Sequence, residues 1–176
     1  SLVVILYAVL GGQFSIIRTD FIQAVILFLG IFLAAGLALS GIGGLDGLRT
    51  SLPSDYFSFP VSPEFSWKML LSFLILVGAT YVVGPDIYTR LFCARDEKTA
   101  QRSTFLAATL FIPLAFAVVF IGMSAQVLYP QISPEQAFPQ LISGVLSPAL
   151  GGLILAALIA ALMSSADTCL LSQGVI

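Results

Sequence analysis

The chain has no histidine, and only 9% of its 176 residues are charged. It therefore lacks the commonest transition-metal ligand and the usual proton shuttle near neutral pH. Its two cysteines, Cys93 and Cys169, belong to no CxxC pair, so neither a zinc site nor a disulfide framework is indicated. The net charge is −2 and no basic run is present, so nothing favours nucleic-acid binding. The composition therefore gives no support to a histidine-based metal site, a zinc-binding or disulfide-stabilised domain, or a nucleic-acid-binding protein.

Long apolar runs are abundant instead, since 59% of the residues are hydrophobic. An ordinary soluble domain has about a quarter of its residues charged. So much apolar surface does not fit inside one small soluble core, and the composition predicts an all-α integral membrane protein.

Hydropathy predicts about five transmembrane helices in a single incomplete domain over residues 1–176. They are expected at about 1–10, 15–40, 67–92, 104–128 and 148–174. Gly11-Gly12 is expected to close the first helix, Gly84-Pro85 interrupts the third, and Pro113 lies inside the fourth. Both chain ends lie within apparent helices, so we interpret the chain as an excerpt of a longer protein.

Basic residues orient these helices. Two regions, 11–19 and 90–103, contain Arg18, Arg90, Arg95, Lys98 and Arg102, whereas the other loops and their flanks contain only Arg49 and Lys68. An excess of Lys and Arg marks cytoplasmic loops. The pattern therefore predicts cytoplasmic loops at 11–14 and 93–103 and outer loops at 41–66 and 129–147. Within the second outer loop, the sequence starting at Ser133-Pro134 favours a short amphipathic surface helix.

The fifth predicted helix has an unusual polar stripe. Ala161, Ser164, Ser165 and Thr168 are spaced i, i+3, i+4 and i+7, so they share one helix face, and Asp167 lies at its edge. Oxygen-bearing side chains at membrane depth suit a small hard cation such as Na⁺. The alternative is that small polar residues hold helices together. A carboxylate inside the bilayer costs about 2.5–3.5 kcal/mol on insertion scales, which favours a function for Asp167.

Asp20, in "IIRTDFIQ", allows two interpretations. With Gln23 it fits a capping box at the start of the second helix, and the carboxylate also suits an ion ligand. Near the interruption of the third helix, Thr80 and Tyr81 face either a substrate or the helix packing. Asp86 and Arg90 are spaced for an i, i+4 ion pair.

Three stretches resemble the sodium:solute symporter family. "YAVLGGQFSIIRTDFIQ" is similar to its Y-x-x-x-GG-x-x-x-x-x-x-TD-x-x-Q pattern. "GPDIYTRLFCARDEKTAQR" resembles the end of its sixth core helix, and "AALIAALMSSADTCLLS" resembles its eighth. The resemblance implies part of a LeuT-like inverted-repeat transporter, from the end of core helix four to core helix eight.

The resemblance also implies roles for individual residues. The main sodium site would use the Ala161 carbonyl and the Ser164 and Ser165 hydroxyls, completed by carbonyls of core helix one, which this chain lacks. A further cation site found in some relatives would use Asp20 and Thr168. At that site Asp167 puts a carboxylate where the family has a hydroxyl.

The expected function is sodium-coupled symport of a small organic solute by alternating access: an amino acid, a sugar or a carboxylate. Na⁺ is the coupling ion, the location is the cell membrane, and the partners are the solute, the bilayer and the remaining helices of the carrier. Proton coupling through Asp20 or Asp167 is the close alternative, and a membrane sensor domain is another. An intramembrane aspartyl protease is disfavoured, because neither acid has a GxGD context; we therefore expect no enzyme and no catalytic residue.

Overall fold

The computed structural model describes the backbone of residues 2–175 and the side chains of residues 17–84, 87–88 and 90–166. Seven α-helices follow one another: α1 (Leu2–Gly41), α2 (Gly44–Ser51), α3 (Trp67–Val83), α4 (Pro85–Phe92), α5 (Glu97–Leu128), α6 (Pro134–Val145) and α7 (Pro148–Val175). A 3₁₀ turn, Ser54–Phe57, lies between α2 and α3. Every regular element of the described chain is helical, which confirms the all-α prediction.

Three helical segments are long and apolar enough to cross a bilayer. Within the described residues these are Ile17–Gly41, Glu97–Leu128 and Pro148–Ala166, and the apolar helix Trp67–Val83 is shorter. The 17 residues of α3 extend roughly 25 Å, slightly less than the hydrocarbon thickness of a bilayer. The described residues thus contain three spans of full length and one shorter apolar helix, compared with about five in the sequence-based prediction.

The first of the predicted boundaries is wrong, because α1 is continuous through Gly11-Gly12 and leaves no loop at 11–14. A helical glycine costs about 1 kcal/mol relative to alanine, whereas proline removes a donor and costs about 3 kcal/mol. This stretch has glycines but no proline, so each of its residues keeps a backbone N–H for the helix. Asp20 consequently lies inside a helix rather than at its start, so the capping interpretation of Asp20 is also wrong.

The interruption of the third predicted helix is confirmed. Between α3 and α4, Gly84 has ψ 129 and its N–H donates to the Thr80 carbonyl at 2.8 Å. Pro85 brings no N–H and opens α4, as proline often does at a first helical position. The Tyr88 hydroxyl reaches back across the break and donates to the Val82 carbonyl at 2.7 Å. Tyr88 thus satisfies a carbonyl near the point where the regular hydrogen bonding is interrupted.

The next helix starts earlier than expected, at Glu97 rather than near residue 104. Asp96 is its N-cap and accepts a hydrogen bond from the Thr99 N–H at 2.7 Å. Gln101 donates to Glu97 at 3.2 Å, one turn on. Most of the charged stretch predicted as loop 93–103 is therefore the first two turns of α5.

The outer segments are partly helical. As expected, α6 begins just after Ser133, and it buries Leu141 and Ile142 against the core. Helix α2 was not expected in the loop 41–66. Two glycines with positive φ mark its start, the N-cap Gly43 (85°) and the first helical residue Gly44 (75°), and the helix buries Leu48 completely.

Small residues let α1, α5 and α7 approach closely. Ala34 and Ala38 of α1 and Ala125 of α5 have no exposed surface. At Gly30, an added Cβ would lie 3.3 Å from Ile154 Cγ1 on α7, so a side chain at this position would meet its neighbour. Close approach through small residues is the usual packing of membrane helices. The contact of α1 with α7 also brings Asp20 close to Ala161 and Ser164 of α7.

Candidate cation site

A cavity of about 150 Å³ lies between α1 and α7. It is lined by Asp20, Gln23, Ala24 and Leu27 of α1 and by Ala161 and Ser164 of α7. The chain folds so that two of the three predicted main-site residues, Ala161 and Ser164, line the same space as Asp20. The sequence had assigned Asp20 to a separate site.

The two oxygens of the Asp20 carboxylate have different surroundings. Oδ2 accepts from Arg90 Nη2 of α4 at 3.1 Å, and the Asp20 side chain is 19% exposed against 53% for Arg90. Oδ1 is buried and has no hydrogen-bond partner among the described residues. One carboxylate oxygen therefore holds α4, and the other remains available to a cation or a proton.

Gln23 brings a second acceptor of the same kind. Its Oε1 is buried and likewise has no hydrogen-bond partner in the described part of the chain. Because Gln23 follows Asp20 by three residues, the two side chains share one face of α1. A buried polar group that lacks a partner costs about 1–3 kcal/mol, so two of them lining one cavity favour a binding site. A small hard cation fits these oxygens, since it is bound through carboxylate and carbonyl groups.

The neighbouring serines of α7 face different surroundings. Ser164 is half-buried and lines the cavity, whereas Ser165 is exposed. The Ser165 hydroxyl donates to the Ala161 carbonyl at 3.2 Å. Ala161 thus adjoins both the cavity and the exposed hydroxyl, and Ser165 lies on a part of α7 that no described helix covers.

Asp167 and Thr168, the other predicted members of the second cation site, belong to the last turns of α7, but their side chains lie outside the described residues. Their joint role with Asp20 stays a prediction. The side chain of Asp86 also lies outside that range, so its expected pair with Arg90 stays a prediction too. The ion pair that the structure describes for Arg90 is the one with Asp20.

Thr80 and Tyr81 do not line the cavity. Both are in the last turn of α3, where the Thr80 hydroxyl donates to the Leu76 carbonyl at 2.8 Å and Tyr81 is 62% exposed. All residues of α3 are described, and none of them is buried. The substrate role of this pair is therefore untested by the contacts.

Sequence reasoning missed the place of Gln23 in the cavity and the ion pair of Arg90 with Asp20. The i, i+3 spacing from Asp20 was a usable signal for Gln23, which was assigned to a helix cap instead. The approach of Arg90, seventy residues along the chain, depends on how α4 packs against α7 and has no local sequence signal.

Comparison with known proteins places the chain in one family of carriers. The model of the sodium:solute symporter family matches residues 1–176. The chain is 27% identical to the sodium/myo-inositol cotransporter 2 of Mus musculus, with 65% of this chain and 20% of the relative covered. It is 26% identical to the sodium/glucose cotransporter of Vibrio parahaemolyticus, with 68% and 24% covered. No solved structure gives a significant match.

The chain spans about a fifth to a quarter of the length of these relatives. The family and the named relatives are carriers, which confirms the expectation that the chain is not an enzyme. Together with the apolar helices, the match also indicates a multi-pass membrane protein.

Proposed function

Because the chain belongs to the sodium:solute symporter family, we propose that it is the central part of a carrier that couples Na⁺ entry to the uptake of a small organic solute. The observation that supports this most directly is the cavity between α1 and α7, where Asp20 Oδ1 and Gln23 Oε1 are buried acceptors beside Ser164. The carrier lies in the cell membrane, and the remaining helices pack on the exposed apolar faces of this chain.

The main Na⁺ site uses the Ala161 carbonyl and the Ser164 and Ser165 hydroxyls. Ser165 is exposed and bonded to Ala161, so this edge of α7 is open to another helix. Core helix one of the LeuT-like fold would cover it and supply the remaining carbonyl ligands. A second cation site lies at Asp20, with Asp167 and Thr168 as its further ligands.

Cation binding couples to transport through the helices that it joins. Na⁺ on the exposed edge of α7 links that helix to core helix one, which favours one state of alternating access until the solute binds. Asp20 adds a connection to α4 through Arg90. The membrane potential contributes about 2.3 kcal/mol per charge per 100 mV to inward movement of Na⁺.

The solute is an amino acid, a sugar or a carboxylate, contacted in part near the break between α3 and α4, where Thr80 and Tyr81 lie. The relatives named for glucose and myo-inositol make sugars and polyols the first compounds to test. Counterflow of labelled candidates in proteoliposomes with the full-length carrier, with and without Na⁺, identifies the class.

The test of the proposed Na⁺ coupling is Ser165→Ala in the full-length carrier. Loss of this hydroxyl raises the Na⁺ concentration for half-maximal uptake. Ser72→Ala is the matched control, because the Ser72 hydroxyl also donates to a carbonyl four residues earlier, Lys68 O at 2.8 Å. Equal Na⁺ dependence of both variants would count against the main Na⁺ site. Uptake that does not depend on Na⁺ would contradict the proposed coupling.

Proton coupling is the second candidate, and the unpartnered Asp20 Oδ1 is the observation that favours it. A protonated Asp20 would donate to Gln23 Oε1 and satisfy both groups without Na⁺. Uptake driven by a pH gradient in Na⁺-free buffer selects this alternative.

A further inference from the structure

We propose that Gln23 is a ligand of the coupling cation in the cavity between α1 and α7, beside the charged Asp20. This inference rests on the proposed Na⁺-coupled function, and it adds a ligand that the family resemblance does not assign. It starts from two oxygens of one helix face, Asp20 Oδ1 and Gln23 Oε1, which are both buried and lack hydrogen-bond partners among the described residues.

The charge of the cavity lining suits a monovalent ion. Of the described lining residues, only Asp20 is ionisable; Gln23 and Ser164 offer neutral oxygens, and Ala24, Leu27 and Ala161 offer no polar side chain. One carboxylate with neutral oxygen ligands balances a single positive charge. Arg90 approaches from α4, engages only the other oxygen of Asp20, and is more than half exposed to the surroundings.

A purely structural role for Gln23 would use its amide differently. If the amide donated an N–H to Asp20 Oδ1, Gln23 would position that carboxylate oxygen and would not contribute its own oxygen to the cation. The two roles predict opposite effects of a second carboxylate. A ligand role tolerates Gln23→Glu, since an oxygen stays in place, whereas a donor role does not, because an ionised carboxylate has no hydrogen to donate to Asp20.

The experiment measures Na⁺ binding without transport, as the Na⁺-dependent rise of the thermal unfolding midpoint of the full-length carrier in detergent. The parent and its variants carry Ser165→Ala, so that the cavity dominates the response, and the carrier without any substitution is measured beside them. Choline chloride replaces NaCl at constant ionic strength. The variants are Gln23→Leu and Gln23→Glu, and Gln140→Leu is the control, because Gln140 is exposed on α6 and outside the cavity.

We expect Gln23→Leu to raise the half-saturating Na⁺ concentration about tenfold, or about 1.4 kcal/mol. Gln23→Glu should stay within about threefold of the parent on the same scale, and Gln140→Leu should match the parent. Should Gln23→Leu not fold, Gln23→Asn carries the same expectation, because it withdraws the amide from the cavity.

An unchanged Na⁺ response in Gln23→Leu, or a weaker response in Gln23→Glu than in Gln23→Leu, would overturn the ligand assignment. Failure of the assignment is distinguishable from failure of the proposed function. If the carrier without any substitution gives no Na⁺-dependent shift, the Na⁺-coupled function itself fails; if it responds and Gln23→Leu responds equally, only the role of Gln23 is lost.

Discussion

At the scale of single residues, Asp20 connects three parts of the molecule. It is on α1, its Oδ2 binds Arg90 of α4, and the residue lines the cavity together with Ser164 of α7. A mostly buried carboxylate inside a membrane span is costly unless it is paired or bound to a cation. Since Arg90 satisfies only one of the two oxygens, the other oxygen is the part of Asp20 that is free to serve ion binding.

Asp20→Asn tests this division. Asparagine keeps the size of the side chain and removes the only described charge of the cavity lining, so we expect the Na⁺ affinity to fall by an order of magnitude or more. The measurement is the Na⁺-dependent rise of the unfolding midpoint of the full-length carrier. Arg90→Gln serves as the comparison, because it removes the ion pair but leaves the charge in the cavity. Equal losses of Na⁺ affinity in both variants would show that the ion pair alone matters.

Asp96 offers a test at the start of α5. The hydrogen bond from the Thr99 backbone N–H lowers the pKa of Asp96. A carboxylate with a lowered pKa stabilises the fold above the usual Asp value of about 3.9, and the contribution is lost as the pH falls through its lowered pKa. Asp96→Ala should therefore lower the unfolding midpoint at pH 7 and have a smaller effect at pH 3. An effect that is the same at both pH values would contradict the capping role.

At the scale of helices, the sequence predicted some features better than others. Pro85 and the run beginning at Ser133-Pro134 marked a break and a helix start, because proline restricts the backbone locally. Gly11-Gly12 did not end α1, since glycine weakens a helix without removing a donor. Helix α2 was missed because its single fully buried residue, Leu48, packs on Met123 of α5, and no sequence pattern records this tertiary contact.

Prediction of the candidate site from the sequence is limited in the same way, by contacts between helices. The spacing of Ala161, Ser164 and Ser165 predicted one oxygen-bearing face on α7. It did not predict that Ser164 faces Asp20 while Ser165 remains exposed, because that depends on the rotation of α7 against α1.

The close approach of α1 and α7 can be tested at Gly30. An added Cβ already lies 3.3 Å from Ile154 Cγ1, so Gly30→Leu must push the helices apart. Overpacking of this kind costs about 1–3 kcal/mol, and we expect a lower unfolding midpoint together with weaker Na⁺ binding. Gly36→Leu on the same helix is the control, because an added Cβ there meets nothing within 4 Å. Equal behaviour of the two variants would contradict tight packing at Gly30.

At the scale of the whole molecule, described helices pack on parts of α1 and α7 but leave α3 without a buried residue. The chain spans about a fifth to a quarter of its relatives, so in our proposal the remaining helices of the carrier pack on the exposed surface of α3.

The orientation in the bilayer is also a property of the whole molecule. It rests on the cluster of Arg90, Arg95, Lys98 and Arg102 near the α4–α5 turn, which the positive-inside rule places in the cytoplasm.

Cys93 provides the test of this orientation, because it is an exposed free thiol at the end of α4. In the full-length carrier with its other cysteines replaced, a membrane-impermeant maleimide should modify Cys93 in inside-out vesicles and not in intact cells. Thr50→Cys, on exposed α2 in the predicted outer loop, should give the opposite pattern once Cys93 is replaced by Ser. The two positions serve as controls for each other. Cys93 lies just before the start of α5, whereas Thr50 is on α2 near the other end of α5, so the lengths of α1 and α5 separate them in space. Modification of Cys93 in intact cells would show that the orientation is opposite to the predicted one. Na⁺ would then enter the cavity between α1 and α7 from the opposite side.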